Sequence, residues 1–199
     1  MYYKGEKMEA GHMPDASFHG YRALITERLS EIIPRHEDVR VLDIGTGMAS
    51  TAKFLLQHLS KRSKVWSLDP SEEILSKARA ALTPENQKRI RFLQGSADAL
   101  EFEDESFDIV VSVMVLHHIE QVGKSIAEMA RVLRRGGRLI IVDYSPEAHV
   151  LDFHSRHTKG DFVKPSAVSK AMKGANLKPR VETHDKWYLV EATRPATIE

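Results

Sequence analysis

Short, near-continuously apolar runs alternate along this chain with stretches whose apolar residues recur at helical spacing. No other feature constrains the fold as tightly. Five such runs lie at residues 39–44, 64–68, 90–93, 107–113 and 138–143. Between them, Ala52, Leu55, Leu56 and Leu59 mark one helix, and Ile74, Leu75, Ala78 and Leu82 a second. Val122, Ile126, Met129, Ala130 and Leu133 mark a third, which Gly136-Gly137 is expected to stop. Ser71 is placed to cap the second of these helices, with Glu72 and Glu73 favourable in its first turn. Ahead of the first strand, Phe18, Tyr21, Ile25, Leu29 and Ile32 make 17–33 an amphipathic helix that ends at Pro34. Strands separated by helices pair in parallel and need cover on both faces, and wholly apolar strands agree with that. The pattern changes in the last fifty or so residues. A polar helix candidate at 146–156 and a short helix at 166–174 precede two strands, 179–183 and 186–193, joined by a tight turn at His184-Asp185. The expectation is a doubly wound α/β sheet closed by an antiparallel hairpin.

Composition narrows the function classes. With 199 residues, 42% apolar and 29% charged, the chain suits one ordinary globular domain. Its 29 basic and 28 acidic side chains leave a net charge of +1, so no global field favours nucleic acid or an anionic membrane as partner. The absence of cysteine excludes a disulfide scaffold, a thiolate metal site and a cysteine nucleophile. The apolar runs are far shorter than the ~20 residues of a spanning helix, and the first ten residues are polar. A cytoplasmic protein is expected.

The strongest local signal is the run 42–47 (LDIGTG), directly after the first strand and before a helix. Gly45 and Gly47 permit a tight turn and close backbone approach to a ligand, and the helix that follows offers its N–H groups. Asp69 ends the second strand 24 residues after Gly45, where a carboxylate can accept both ribose hydroxyls. The plainer alternative is that the glycines only turn the chain and Asp69 only helps cap a helix. A dinucleotide fold asks for a third glycine at position 50, which is Ser50, and places no acid where Asp43 stands. A negative charge there disfavours pyrophosphate and suits a ligand with an ammonium and a sulfonium centre, namely S-adenosylmethionine.

On these residues the sequence resembles the class I S-adenosylmethionine-dependent methyltransferases, in their small-molecule branch. The resemblance spans roughly residues 39–194. It rests on 41–47 (VLDIGTG), Asp69, Asp98 within 95–100 (GSADAL), 100–113 with 107–110 (FDIV) at its heart, 116–119 (LHHI) and 131–139 (RVLRRGGRL). It implies a Rossmann-like sheet of seven strands in the order 3-2-1-4-5-7-6 with strand 7 antiparallel. It also implies a single methyltransferase domain over 1–199. Within it, 1–36 form an N-terminal flap and helix, 39–143 the cofactor-binding core, 144–164 a short lid, and 165–199 the C-terminal helix and hairpin. The third glycine of the family pattern is replaced at Met48 or Ala49. No Asn/Asp-Pro-Pro-Tyr/Phe tetrapeptide follows the fourth strand, where the chain reads Ser112-Val113-Met114-Val115, and this argues against nucleobase or glutamine-amide methylation.

The resemblance implies roles. Gly45, Thr46 and Gly47 would line the methionine portion, and Asp43 would act near its ammonium end. Asp69 would hold the ribose, and Pro70 would pack on the adenine. The Ala97 N–H and the Asp98 carboxylate would read the adenine edge, and Val113 and Met114 would sit beside the methyl group. The reaction is expected to be an in-line displacement in which proximity supplies much of the rate. His117 and His118 are the general-base candidates, since histidine titrates near neutrality. Each has an alternative place, against the following helix or in solvent. Asp143 and Tyr144 are candidates for substrate contact. His149, His154 and His157 with Asp152 and Asp161 raise a metal reading, but no established ligand spacing is present and no metal is assigned. Tyr2, Tyr3, His12, Met13 and His19 are placed in the flap by position alone. The expected activity is methyl transfer to a small molecule. The alternatives are a non-catalytic module binding S-adenosylmethionine or S-adenosylhomocysteine, a methyltransferase acting on a protein side chain, and a nicotinamide oxidoreductase, which Ser50 and Asp43 disfavour.

Overall fold

Successive side chains along the central strands enter opposite hydrophobic layers. In the computed structural model, Val41, Val65, Ile109, Val111, Ile140 and Val142 belong to one buried cluster. Leu42, Leu68, Val110, Leu139 and Ile141 belong to the other. Because both faces are apolar, the strands read as unbroken apolar runs. The structure describes residues 2–3, 6–7, 16–35, 37–146 and 162–196, with side chains from Arg22 onward.

The main sheet consists of β1 (Arg40–Ile44), β2 (Lys64–Asp69), β3 (Ile90–Gln94), β4 (Phe107–Val113), β5 (Leu133–Tyr144), β6 (Lys178–Thr183) and β7 (Trp187–Thr193). Their order is 3-2-1-4-5-7-6, with β7 antiparallel to both β5 and β6 and the other pairings parallel. This is the sheet the resemblance implies. Residues Tyr2–Tyr3 and Glu6–Lys7 form a separate antiparallel pair. Helix α1 (Ala16–Ile32) and α2 (Ser50–His58) supply Ile25, Leu29, Ala52 and Leu55 to the first layer. Helices α3 (Glu72–Ala80) and α4 (Pro84–Gln87) follow β2, and α3 adds Ala78 to that layer. Helices α5 (Val122–Val132) and α6 (Pro165–Gly174) cover the second layer with Ile126, Met129, Val168 and Met172. The Ser71 hydroxyl caps α3 by accepting the Ile74 N–H at 3.3 Å, as its sequence position suggests.

One boundary differs from expectation. Helix α5 stops at Val132, ahead of the glycine pair, and the chain is already paired at Leu133, which faces Phe107. The register then slips so that Ile109 faces Arg138, and the intervening residues bulge. Gly136 takes φ +72°, and a Cβ on Gly137 would lie 2.8 Å from the carbonyl oxygens of Asp108 and Arg134. The glycine pair therefore serves a bulge in β5, not a helix stop. The polar helix expected at 146–156 lies outside the described residues.

Candidate cofactor and acceptor site

The strand order reverses between β1 and β4, so the loops leaving the carboxyl ends of these two strands diverge to opposite faces and open a crevice. On one side the chain leaves β1 through Gly45, Thr46 and Gly47. The N–H groups of Gly45 and Thr46 both donate to the Leu68 carbonyl, at 2.8 and 3.1 Å, which pins the turn to the end of β2. Gly45 has φ +84°, and a Cβ there would lie 2.3 Å from Val115 Cγ2, so no larger residue fits. Gly47 has φ +47°, and a Cβ there would meet nothing within 4 Å, so this backbone borders open space.

Three carboxylates surround this turn in different states. Asp69 is buried, and its two oxygens accept the Gly47 N–H at 3.2 Å and the Ser71 N–H at 3.0 Å. Burial raises its pKa and the two N–H groups oppose the rise. Asp43 is fully buried behind the turn. Its Oδ2 accepts the Ser67 hydroxyl at 2.7 Å, and Ser67 Oγ lies 2.8 Å from Thr46 Oγ1. Burial pushes the Asp43 carboxyl up to about 7, with the Ser67 bond opposing and the Asp69 charge adding. Its Oδ1 has no hydrogen-bond partner among the described residues. Asp98 is half-buried in a turn closed by Ala99 N–H to Ser96 O at 3.2 Å, and this turn is tied to β2 by Gly95 N–H to Asp69 O at 3.2 Å. The Ser96 hydroxyl, and then Lys124, hold the Asp98 carboxyl below the usual range. Ala97 is buried beside it, and Pro70 is exposed at the end of β2.

The opposite wall follows β4. Val113 and Met114 are half-buried. Met114 has φ +57° and donates its N–H to Val142 O at 2.8 Å. A left-handed methionine costs roughly 1–2 kcal/mol, so the crevice wall is held by its surroundings against local preference. The 3-10 turn Leu116–His118 follows. His117 Nδ1 lies 2.6 Å from Asp143 Oδ1, and both side chains are 1% exposed. Asp143 Oδ2 accepts the His117 backbone N–H at 3.1 Å, and Oδ1 also accepts the Tyr144 N–H at 2.7 Å. Asp143 and the His117 imidazole are both enclosed at this pairing, so Asp143 is not an open substrate contact and His117 stands behind the half-buried His118. The contact with this carboxylate orients the His117 ring. The ring of the half-buried His118 lies 4.0 Å from that of His117, tilted by 48°, and the Tyr144 ring lies 5.1 Å away.

Ser67, Val115 and the pairing of Asp143 with His117 were not singled out from the sequence. A usable signal existed for Ser67: it is the register partner of Asp43 across β1 and β2, two polar residues at matching places in apolar runs. Among the described residues no group of three or more His, Asp or Glu is placed to hold a metal, and no helix is long and apolar enough to cross a membrane. His149, His154, His157, Asp152 and Asp161 lie outside the described residues, as do His12 and Met13 and the side chains of Tyr2, Tyr3 and His19.

A doubly wound sheet with glycines at its switch point and an acid ending the neighbouring strand defines a nucleoside-binding α/β protein. The chain belongs to the methyltransferase domain family, whose model matches residues 42–141. It is 38% identical over 119 residues to an uncharacterised methyltransferase, YcgJ, of Bacillus subtilis, covering 59% of this chain and 46% of that one. It is 34% identical over 125 residues to the demethylmenaquinone methyltransferase of Lactococcus lactis, covering 63% and 48%. The chain thus spans about half the length of the curated relatives it matches. The crystal structure of an S-adenosylmethionine-dependent methyltransferase from Aquifex aeolicus shares the fold with a TM-score of 0.72 at 20% identity, over 85% of this chain and 89% of that one. S-adenosylmethionine is the cofactor that this family membership brings, and the residues fit it. The open backbone at Gly47 stands beside the buried acid Asp69, and Asp43, lifted to about 7, carries negative charge behind the turn above that pH.

Proposed function

We propose that this chain moves a methyl group from S-adenosylmethionine to a small-molecule acceptor by in-line displacement, with the His117–His118 turn, anchored by Asp143, taking the acceptor's proton. When bound, the cofactor supplies a methyl group already activated on a sulfonium, so the protein needs no covalent residue. Gly45, Thr46 and Gly47 would hold the methionine portion and Asp69 the ribose. Ala97 and Asp98 would meet the purine, with Pro70 against its face, and Val113 and Met114 would border the methyl group. The single observation that carries the acid–base part is the buried 2.6 Å contact between His117 and Asp143 in the turn that leaves β4. A base of this kind is needed only when the nucleophile must lose a proton, and it then contributes about 10²–10⁴-fold. This directs the search toward hydroxyl or acidic-carbon acceptors. The demethylmenaquinone methyltransferase among the relatives acts, by its name, on a quinone-type small molecule, which supports an acceptor of that size.

The test is to offer the purified chain labelled S-adenosylmethionine and a metabolite mixture, and to read labelled products by mass spectrometry. Methylated small molecules are expected from the wild type, with His117→Gln slowed about 100-fold or more at unchanged cofactor affinity. Binding of S-adenosylhomocysteine with no product from any mixture would instead favour the non-catalytic module. Label transferred only to added protein would favour the protein-methylating alternative.

A further inference from the structure

Lys124, Glu128 and Arg131 recur at i, i+4 and i+7 on α5 and so share one face of that helix. Each reaches the connection between β3 and β4. Lys124 Nζ lies 3.6 Å from Asp98 Oδ2. Glu128 Oε2 accepts the Leu100 N–H at 2.9 Å. Arg131 donates to the carbonyls of Leu100 at 2.9 Å and Phe102 at 2.8 Å, and to Asp104 Oδ1 at 2.7 Å. Its remaining donors close on Glu128, Nε to Oε1 at 2.8 Å and Nη2 to Oε2 at 2.9 Å. All five guanidinium N–H groups are therefore used, and a lysine could not reproduce that planar fork. Among the described residues, every hydrogen bond or ion pair from residues 98–104 to another element goes to this face of α5. Ahead of Asp98 this stretch is held by Gly95 N–H to Asp69 O at 3.2 Å and by buried Ala97, whereas beyond it the polar ties run to α5.

We propose that Lys124, Glu128 and Arg131 are positioning residues that set the base specificity of cofactor binding, by clasping the loop that carries Asp98 against α5. The proposal rests on the reading of Asp98 as the acid that meets the purine. A carboxylate held at a fixed place accepts from the exocyclic amine of adenine and repels the carbonyl oxygen that replaces this amine in hypoxanthine. A carboxylate released from α5, and held only through Gly95 and the buried Ala97 and Leu100, is less firmly placed and discriminates less between the two. The clasp thus acts on the difference between two bases and leaves the ribose and methionine subsites alone.

Isothermal titration with S-adenosylhomocysteine and with S-inosylhomocysteine, which differ only in the base, tests this. The wild type should prefer the adenine ligand by about tenfold or more. Arg131→Lys should reduce the preference below about threefold, chiefly by weakening S-adenosylhomocysteine, with Glu128→Gln in the same direction. Lys124 is 56% exposed, so Lys124→Met leaves the fold intact, and it should narrow the preference partway. A general loosening of the fold would weaken both ligands equally. An unchanged ratio in Arg131→Lys, or in Lys124→Met should the arginine variant not fold, overturns the proposal. Asp98→Ala separates the two levels. If it abolishes the preference while the clasp variants keep it, only the clasp is wrong. If it leaves the preference intact, or the wild type has none, the reading of Asp98 falls and the clasp with it.

Discussion

Asp43 has no exposed surface, one oxygen on Ser67, and a second oxygen without a partner among the described residues. Its carboxyl rises from 3.8 to about 7, mainly through burial, so the folded chain holds the proton more tightly than the unfolded chain. The linked stability is fully present below the unfolded value and is lost as pH rises through about 7. Asp43→Asn removes this titration and keeps an acceptor for Ser67. Its stability relative to wild type should therefore improve between pH 5 and 8.5, by at most about 3 kcal/mol, read from denaturant titrations at each pH. Cofactor binding should respond in the opposite sense. The ionised carboxylate favours a cationic ligand, so the ratio of variant to wild-type Kd should widen as pH climbs through about 7. A ratio that is flat across this range would remove Asp43 from the cofactor site. The sequence showed that an acid stood before the glycines. It could not show that the acid is sealed off, because that depends on Ser67, which arrives from the next strand.

At the scale of elements, the turn after β1 and the segment after β4 are mutually fitted through Gly45 and Val115. A methyl group on Gly45 would overlap Val115 Cγ2 and would also sit at φ +84°. Gly45→Ala should lower stability by about 3 kcal/mol, combining steric overlap with backbone strain. Adding Val115→Ala should recover roughly half, since it relieves the overlap and leaves the φ unchanged. Additive effects in this double-mutant cycle would show that the two turns do not touch. Elements themselves were largely legible. Apolar periodicity located the five parallel strands and their helices, and Ser71 announced the start of α3. The β5 bulge was misread because a Gly-Gly pair after a helical stripe signals a stop equally well. Only the pairing with β4 shows that Leu133 already sits in the sheet. The His117–Asp143 contact was hidden for a related reason. Its members are 26 residues apart, one in the loop after the fourth strand and one ending the fifth, and each alone read as a polar residue placed to face a ligand.

For the molecule as a whole, strand order does the placing. The reversal between β1 and β4 brings the ends of β1, β2 and β4 into register, with Ile44 facing both Leu68 and Ser112. Two apolar layers pack that sheet, and the loops at its carboxyl edge carry left-handed, strained backbone at Ala49 and Met114. Strand alternation predicted the doubly wound class, and the resemblance supplied the order that the structure shows. The crevice itself is a product of both, since no local motif states which loops will meet. The central claim is that this crevice takes an adenosyl ligand whose ribose is held by Asp69. Calorimetric titration of S-adenosylhomocysteine into the wild type and Asp69→Ala tests it most directly. Saturable binding of one ligand per chain, weakened at least about 100-fold by the substitution, is the expected result. No heat at millimolar ligand, or equal affinity in the two proteins, would contradict it.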